Sequence, residues 1–163
     1  MKPTIRNFTP ADLPAVLKMN NHAVPQVNSL TPNDVLWFAD HAAWFRVAEL
    51  DGKAAAFLIG LTEEASYDSE YFEWYTARYA KFLYVDRIIV AGWARRRGLA
   101  TSLYHDAARW AAHHALALAA EVYSRPPNEP SLQFHRNFGF AEVGVQPVEN
   151  GTKTVTKFYK QSP

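Results

Sequence analysis

The stretch "FLYVDRIIVAGWARRRGLATSLYHD", Phe82 to Asp106, decides how this chain is read. Its first nine residues are apolar and β-branched, the pattern of a central buried strand ending at Val90. From Gly98 onward, Leu99, Leu103, Ala107, Trp110 and Ala111 recur at helical spacing and mark one face of an amphipathic helix. Arg95, Arg96 and Arg97 therefore stand between a strand end and a helix start. They read as a solvated charge run, a nucleic-acid patch, or half of a phosphate cradle. The position favours the cradle. The first N–H groups of a helix lack internal partners and carry the positive end of its dipole. Phosphate placed there is held by backbone donors. Gly98 lets the backbone approach a ligand, Ala100 is nearly as small, and arginine adds charge-assisted hydrogen bonds.

The rest of the chain bounds these alternatives. Its 163 residues suit one domain, 1–163, with a sizeable core. Hydrophobic residues make up 48% and charged residues 20%, ordinary for a soluble globular protein. The formal net charge is only +1, which argues against nucleic acid as a partner. The absence of cysteine excludes disulfides, thiolate nucleophiles and cysteine-ligated zinc. "MKPTIRNFTP" lacks the apolar core of a secretion signal, and no run approaches a membrane span of about 20 apolar residues. A cytoplasmic protein with no membrane partner is the expectation.

Working outward, "TIRNFT" reads as an opening strand. Thr9-Pro10 and Thr31-Pro32 each read as a helix start with proline at the first position. Asp51-Gly52 joins "AWFRVAEL" to "KAAAFLIGLT" as a β-hairpin. "YFEWYTARYAKF" (71–82) is aromatic at helical spacing, and at least Leu118 to Tyr123 reads as a strand stopped by Pro126-Pro127. "NEPSLQFHRNF" is a short helix with Asn128 as N-cap and Gly139 as C-cap. Two strands follow, joined by Asn150-Gly151. The order β-α-α-β-β-α-β-α-β-α-β-β implies one mixed α/β domain around a sheet of about seven strands.

Two familiar phosphate cradles are excluded, because neither G-x-x-x-x-G-K-[ST] nor G-x-G-x-x-G occurs. "RRRGLA" instead matches [QR]-x-x-G-x-[GA], the pyrophosphate signature of the GCN5-related N-acetyltransferase (GNAT) superfamily. About thirty residues on, "NEPSLQFHRNFGF" resembles that family's second signature at Asn128, Ser131, Phe134, Gly139 and Phe140. Two signatures in order, within this order of elements, make the chain similar to GNAT enzymes over nearly its whole length. It resembles most the bacterial group of acetyltransferases with "PPN" and "FH" near the last helix. The likeness implies an α+β fold with a mostly antiparallel mixed sheet, a splayed central strand pair and helices on both faces.

The resemblance also implies roles. Acetyl-CoA would be the cosubstrate. Backbone groups of Ile88, Ile89 and Val90 would pair with its pantetheine arm, and N–H groups of Arg96, Arg97, Gly98, Leu99, Ala100 and Thr101 would hold the pyrophosphate. Arg95 matches the first signature position. Asn128, with Ser131, would hold the far side of the cofactor, while Asn128 also caps its helix. Transfer to an alkylammonium, with a pKa near 10, needs a base and, usefully, an acid. Glu121 is the first candidate base, placed at a strand end facing the splay. Asp86 is the second, with a pairing to Arg87 or Arg125 as its structural alternative. The family usually has tyrosine where His135 stands. Imidazole near pKa 6.5 is mostly neutral at pH 7, so His135 orients and stabilises the leaving sulfur or packs under the cofactor. Tyr123 and Tyr159 are possible substitutes.

The acceptor is expected to be a small amine or amino-acid-like molecule, with a protein N-terminus or lysine as the alternative. A non-catalytic acyl-CoA-binding module is the other reading. Asn20, Asn21 and Asn28 are the expected polar anchors. The run of aromatics from Tyr67 to Tyr84 serves either as a core stripe or as a pocket wall. The histidines have no metal-ligand spacing, so no metal is expected. The last two strands are the expected edge for a homodimer.

Overall fold

The computed structural model describes residues 2–163. The chain opens with β1 (Thr4–Asn7), a 3₁₀ turn at Pro10–Asp12 and helix α1 (Leu13–His22). Thr9 and Thr31 stand as N-caps before proline, as their sequence chemistry requires. At α2 (Pro32–His41) the Thr31 hydroxyl accepts the Asp34 N–H at 3.2 Å, and Asp34 accepts the Thr31 N–H at 2.8 Å. Strands β2 (Trp44–Leu50) and β3 (Lys53–Thr62) form the predicted hairpin, with Asp51 and Gly52 both at positive φ. Then come α3 (Glu70–Thr76), β4 (Phe82–Val90), α4 (Leu99–His113), β5 (Ala117–Arg125), α5 (Glu129–Phe138), β6 (Ala141–Val148) and β7 (Lys153–Lys160). This is the element order expected from the sequence.

The strands lie in one sheet in the order β1-β2-β3-β4-β5-β7-β6. β1/β2, β2/β3, β5/β7 and β6/β7 are antiparallel, whereas β4/β5 is parallel. The sheet is therefore mixed and mostly antiparallel. The β4/β5 ladder is short, pairing Phe82, Leu83 and Tyr84 with Ala117, Leu118 and Ala119. β4 is buried continuously from Phe82 to Val85 and then alternates, which places Asp86, Ile88 and Val90 on its less buried side.

By compactness the chain divides into two units. The first comprises Met1–Leu61 and Val85–Arg109; the second comprises Thr62–Tyr84 and Trp110–Pro163. The core of the first holds Val16, Val35, Phe57, Leu58, Ile59 and Leu103. That of the second holds Phe72, Tyr75, Phe82, Ala119, Leu132 and Phe158.

α3 is shorter than its aromatic spacing suggests. It stops at Thr76, and the N–H groups of Arg78 and Tyr79 turn back onto the Tyr75 carbonyl. Tyr75 explains the stop: its hydroxyl donates to the Ala120 carbonyl at 2.6 Å and accepts the Phe158 N–H at 3.2 Å. A buried tyrosine bonded to two strands fixes the end of the helix that carries it. Of the aromatics from Tyr67 to Tyr84, Phe72, Tyr75, Phe82 and Tyr84 are buried, and Tyr67, Tyr71, Trp74 and Tyr79 are half-buried.

Candidate active site

In the first unit, β4 ends at Val90, and the Ala91 N–H continues its pairing by donating to the Ala55 carbonyl at 2.8 Å. A 3₁₀ turn, Gly92–Ala94, leads into the arginines. Arg95 is extended at φ −64°, Arg96 is left-handed at φ 62°, and Gly98 is left-handed at φ 74°. A non-glycine residue in that region costs of the order of 1 kcal/mol and points to a local constraint. Alternation of hand along such a loop turns successive N–H groups toward one concave side, which is anion-binding geometry. The first turn of α4 follows, its helical bonding begun by Ser102 N–H to the Gly98 carbonyl at 3.0 Å. Arg95, Arg96, Arg97 and Gly98 are exposed, Leu99 is buried, Ala100 is half-buried and Thr101 is exposed. A Cβ built on Gly98 meets nothing within 4 Å, so the space over it is open. These residues fit a phosphate: open space, a left-handed glycine, a helix N-terminus and three cations.

Ile88 and Val90 are half-buried and Ile89 is buried. Asp86, beside them, is held by Arg87, whose Nε donates to Asp86 Oδ2 at 2.7 Å. Both side chains are nearly enclosed, at 4% and 5% exposure. The structural alternative for Asp86 is therefore realised, with Arg87 as its cation. Arg87 also donates to Asn20 Oδ1 at 2.9 Å and Asn28 Oδ1 at 2.8 Å. Asn20 Nδ2 donates to the Asn28 carbonyl at 3.0 Å, and Asn21 exchanges two hydrogen bonds with the backbone of Leu30. Asn20 and Asn28 thus tie the end of α1 and the segment after it to β4 through Arg87, while Asn21 holds Leu30. Asn20 is buried and Asn21 and Asn28 are exposed, and all three side chains, expected as polar anchors for the acceptor, are hydrogen-bonded within the protein.

The second unit holds the other candidate acid–base residues, Glu121 and His135. Glu121 lies at the middle of β5, not at its end. Its Oε1 accepts from Lys157 Nζ at 3.0 Å and its Oε2 from the Tyr84 hydroxyl at 2.6 Å. Lys157, on β7, is fully buried and stands directly opposite Glu121 in the β5/β7 register. Its ammonium also donates to the Tyr71 carbonyl at 3.0 Å and lies 4.8–5.7 Å from the ring centres of Tyr75, Trp74 and Tyr71. Burial pulls the Lys157 ammonium below its ordinary pKa, with Glu121 opposing that shift. Close by, the Tyr71 and Tyr123 hydroxyls both donate to Glu149 Oε2, at 3.1 and 3.0 Å. Burial pushes both phenols up, so both stay protonated. Burial opposes ionisation of Glu149, but bonds from Tyr123 and Tyr71, with Lys153 nearby, outweigh it and hold its carboxyl low.

α5 presents the second signature. Asn128 is its N-cap, accepting the Ser131 N–H at 3.4 Å, while its own N–H donates to the Tyr123 carbonyl at 3.0 Å. Gly139 closes the helix at φ 107°. His135 is 3% exposed and stacks on Phe158 at 5.4 Å. Its Nδ1 lies 2.8 Å from the Ser131 carbonyl. A carbonyl only accepts, so the proton belongs on Nδ1 and Nε2 is an acceptor while the ring is neutral. Burial lowers the His135 pKa, with the Ser131 bond opposing. Tyr159 stacks on Tyr79 at 3.9 Å, and burial raises its pKa.

Sequence reasoning did not single out Lys157 or Tyr84. The signal for Lys157 was a cation in the middle of the strand stretch "KTVTKFYK", whose neighbours Thr156 and Phe158 are buried. Its partner Glu121 was a lone acid in "ALALAAEVY". Only the register, which pairs them across β5 and β7, makes those two oddities one feature.

A sequence profile of the acetyltransferase (GNAT) family matches residues 13–140. A search of curated proteins returns no match. Solved structures do match. A putative phosphinothricin N-acetyltransferase is 25% identical, with a TM-score of 0.74 and 99% of each chain covered. The ribosomal-protein-S18-alanine N-acetyltransferase of Escherichia coli is 17% identical, at a TM-score of 0.75, over 99% of this chain and 94% of that one. The putative acetyltransferase yncA of Salmonella typhimurium, solved with acetyl-CoA, is 19% identical, at a TM-score of 0.74, over 100% of this chain and 95% of that one.

Proposed function

This chain belongs to the acetyltransferase (GNAT) family, and from that premise we propose that it moves the acetyl group of acetyl-CoA directly onto the primary amine of a small, amino-acid-like acceptor. The family membership makes it an N-acetyltransferase that uses acetyl-CoA. The observation that carries the cofactor reading is the loop from Arg95 to Thr101, with left-handed Arg96 and Gly98 opening the first turn of α4. Acetyl-CoA supplies the acetyl group as a thioester. N–H groups of Arg96 to Thr101 hold the pyrophosphate, Arg side chains neutralise it, and the backbone of Ile88 to Val90 lines the arm. Asn128 and Ser131 are kept as proposed cofactor contacts alongside their mutual capping bond.

Glu121 serves as the base that takes a proton from the acceptor's ammonium. Asp86 ranks second because Arg87 already engages it at 2.7 Å. His135, with its Nδ1 proton on the Ser131 carbonyl and its ring among phenylalanines, braces α5 and does not deliver a proton. The thiolate then leaves unprotonated or takes its proton from a tyrosine, Tyr123 being held in the protonated form by burial. The small-acceptor reading leans on the 25% identical neighbour named for phosphinothricin. A neighbour named for the alanine of a ribosomal protein keeps a protein N-terminus as the second reading. β6 is an edge of the sheet, with Val145 64% exposed, and pairing through it is the proposed route to a homodimer.

Calorimetry with acetyl-CoA tests the cofactor: micromolar binding is expected, and none below millimolar would remove the reading. A free-thiol release assay then compares L-phosphinothricin, other amino acids and an alanine-starting peptide. Turnover on the amino acids supports the proposal. Turnover on the peptide alone replaces the small acceptor by a protein N-terminus. Tight cofactor binding with no turnover makes the chain an acyl-CoA-binding module.

A further inference from the structure

The pair formed by Lys157 and Glu121 is the most enclosed charged group in the second unit, and the chemistry above leaves Lys157 without a task. Its side chain is 0% exposed and that of Glu121 is 8%. Burying both charges costs several kcal/mol, so a pair of apolar residues would hold β5 to β7 at least as well. Structure alone therefore gives a weak reason for a lysine here.

We propose that Lys157 is a positioning residue for acetyl transfer: its ammonium, fixed by the Tyr71 carbonyl and three aromatic faces, holds Glu121 as an oriented carboxylate. This rests on the reading of Glu121 as the base. Three constraints act on the ammonium at once. It donates to the Tyr71 carbonyl on α3 at 3.0 Å, to Glu121 Oε1 at 3.0 Å, and lies 4.8 Å from the centre of the Tyr75 ring. Tyr75 is in turn fixed by the backbone of Ala120 and Phe158 on the same two strands. Tyr84, on β4, fixes the other carboxylate oxygen at 2.6 Å. One oxygen thus faces a cation and the other a phenol, so the carboxylate plane cannot rotate without breaking one of them.

Within the second unit, three strands bring groups to Glu121: β7 brings Lys157, β4 brings Tyr84 and β5 itself brings Tyr123. Lys157 also senses Glu70 at the start of α3 and Arg78 just beyond its end. Of those facing Glu121, Lys157 carries the positive charge. An opposite charge within about 4–6 Å favours the ionised carboxylate, and burial without it favours the protonated acid. A protonated Glu121 cannot accept the proton of an ammonium.

The test uses the full-length protein labelled with [δ-¹³C]glutamate, with E121Q identifying the Glu121 signal by its loss. In K157M the signal should titrate at a pH higher by about 1–3 than in the wild type. With acetyl-CoA and whichever of L-phosphinothricin or the alanine peptide is acetylated, the acidic limb of the kcat–pH profile of K157M should move to a pH higher by the same margin of about 1–3, with kcat recovering to the wild-type plateau as pH rises. Its KM for acetyl-CoA should stay unchanged. The same Glu121 titration in K157M and wild type overturns the proposal, as does a loss of kcat that is uniform across pH. If K157M does not fold, Y84F removes one hydroxyl from the same carboxylate and should move the titration upward by less; no movement there also overturns it. If E121Q keeps the wild-type pH profile, Glu121 is not the base and the functional reading fails. The ¹³C titration still reports separately whether Lys157 holds the charge.

Discussion

His135 is where one atom position decides between two roles. With Nδ1 on the Ser131 carbonyl, protonating Nε2 would place a cation among Phe134, Phe140 and Phe158. Burial accordingly lowers its pKa in the folded state. Above the unfolded value, near 6.5, both states are neutral and this histidine leaves stability independent of pH. Below it the unfolded chain binds the proton more readily, so stability is lost as pH falls, by up to about 1.4 kcal/mol per pH unit. H135F should flatten the fall of Tm between pH 6.5 and 5 and keep at least about half of wild-type turnover. A collapse of kcat with a normal melting curve would instead make the imidazole part of the chemistry. Gly98 allows a companion prediction. Because a Cβ there meets no protein atom, G98A should cost only the left-handed backbone, about 1 kcal/mol, or about 2–4 °C in Tm. The new methyl would stand in the open space over the cradle. Calorimetry should therefore show a larger loss of acetyl-CoA affinity than that stability cost explains.

Among the elements, those whose ends are fixed by local chemistry were readable from sequence. β4 spans Phe82–Val90 as its β-branched run indicates, and α5 is bracketed by Asn128 and Gly139, a side-chain cap and a left-handed glycine. The Asp51-Gly52 hairpin follows from two residues that tolerate positive φ. α3 was read too long because aromatic spacing does not say where a tyrosine will bond strands far away in the chain. Asn20 and Asn28 were read as anchors for the acceptor for the same reason: their partner, Arg87, lies 67 and 59 positions away. That network gives the prediction for this scale. R87M removes the cation from a nearly enclosed pair, a change that typically costs about 3–5 kcal/mol. Hydrogen exchange in R87M should accelerate most at residues 20–30, which the guanidinium ties down, well before the strands of the second unit. Uniform acceleration throughout would mean that Arg87 supports the core and not this segment in particular.

For the whole molecule, the balance of charge and the placement of three arginines make opposite demands on a polyanion. A net charge of +1 gives little long-range attraction for nucleic acid, whose binding grows with the number of phosphates neutralised. The loop from Arg95 to Gly98 instead concentrates its cations and N–H groups at one helix start, on the scale of a single pyrophosphate. A ligand bound only by the folded state raises stability by RT ln(1 + [L]/Kd), about 2.7 kcal/mol at one hundred times Kd. For a chain of this length that is a rise of about 5–11 °C in Tm. Acetyl-CoA should therefore raise Tm in a saturable way; the rise should be smaller in R95A/R97A and less sensitive to added salt than in the wild type. Duplex DNA at equal phosphate concentration should leave Tm within about 1 °C, because scattered contacts on a nearly neutral protein are screened at physiological salt. If DNA stabilised the chain as much as acetyl-CoA did, the arginines would be acting as a charge patch, and the backbone geometry at Arg96 and Gly98 would need another cause.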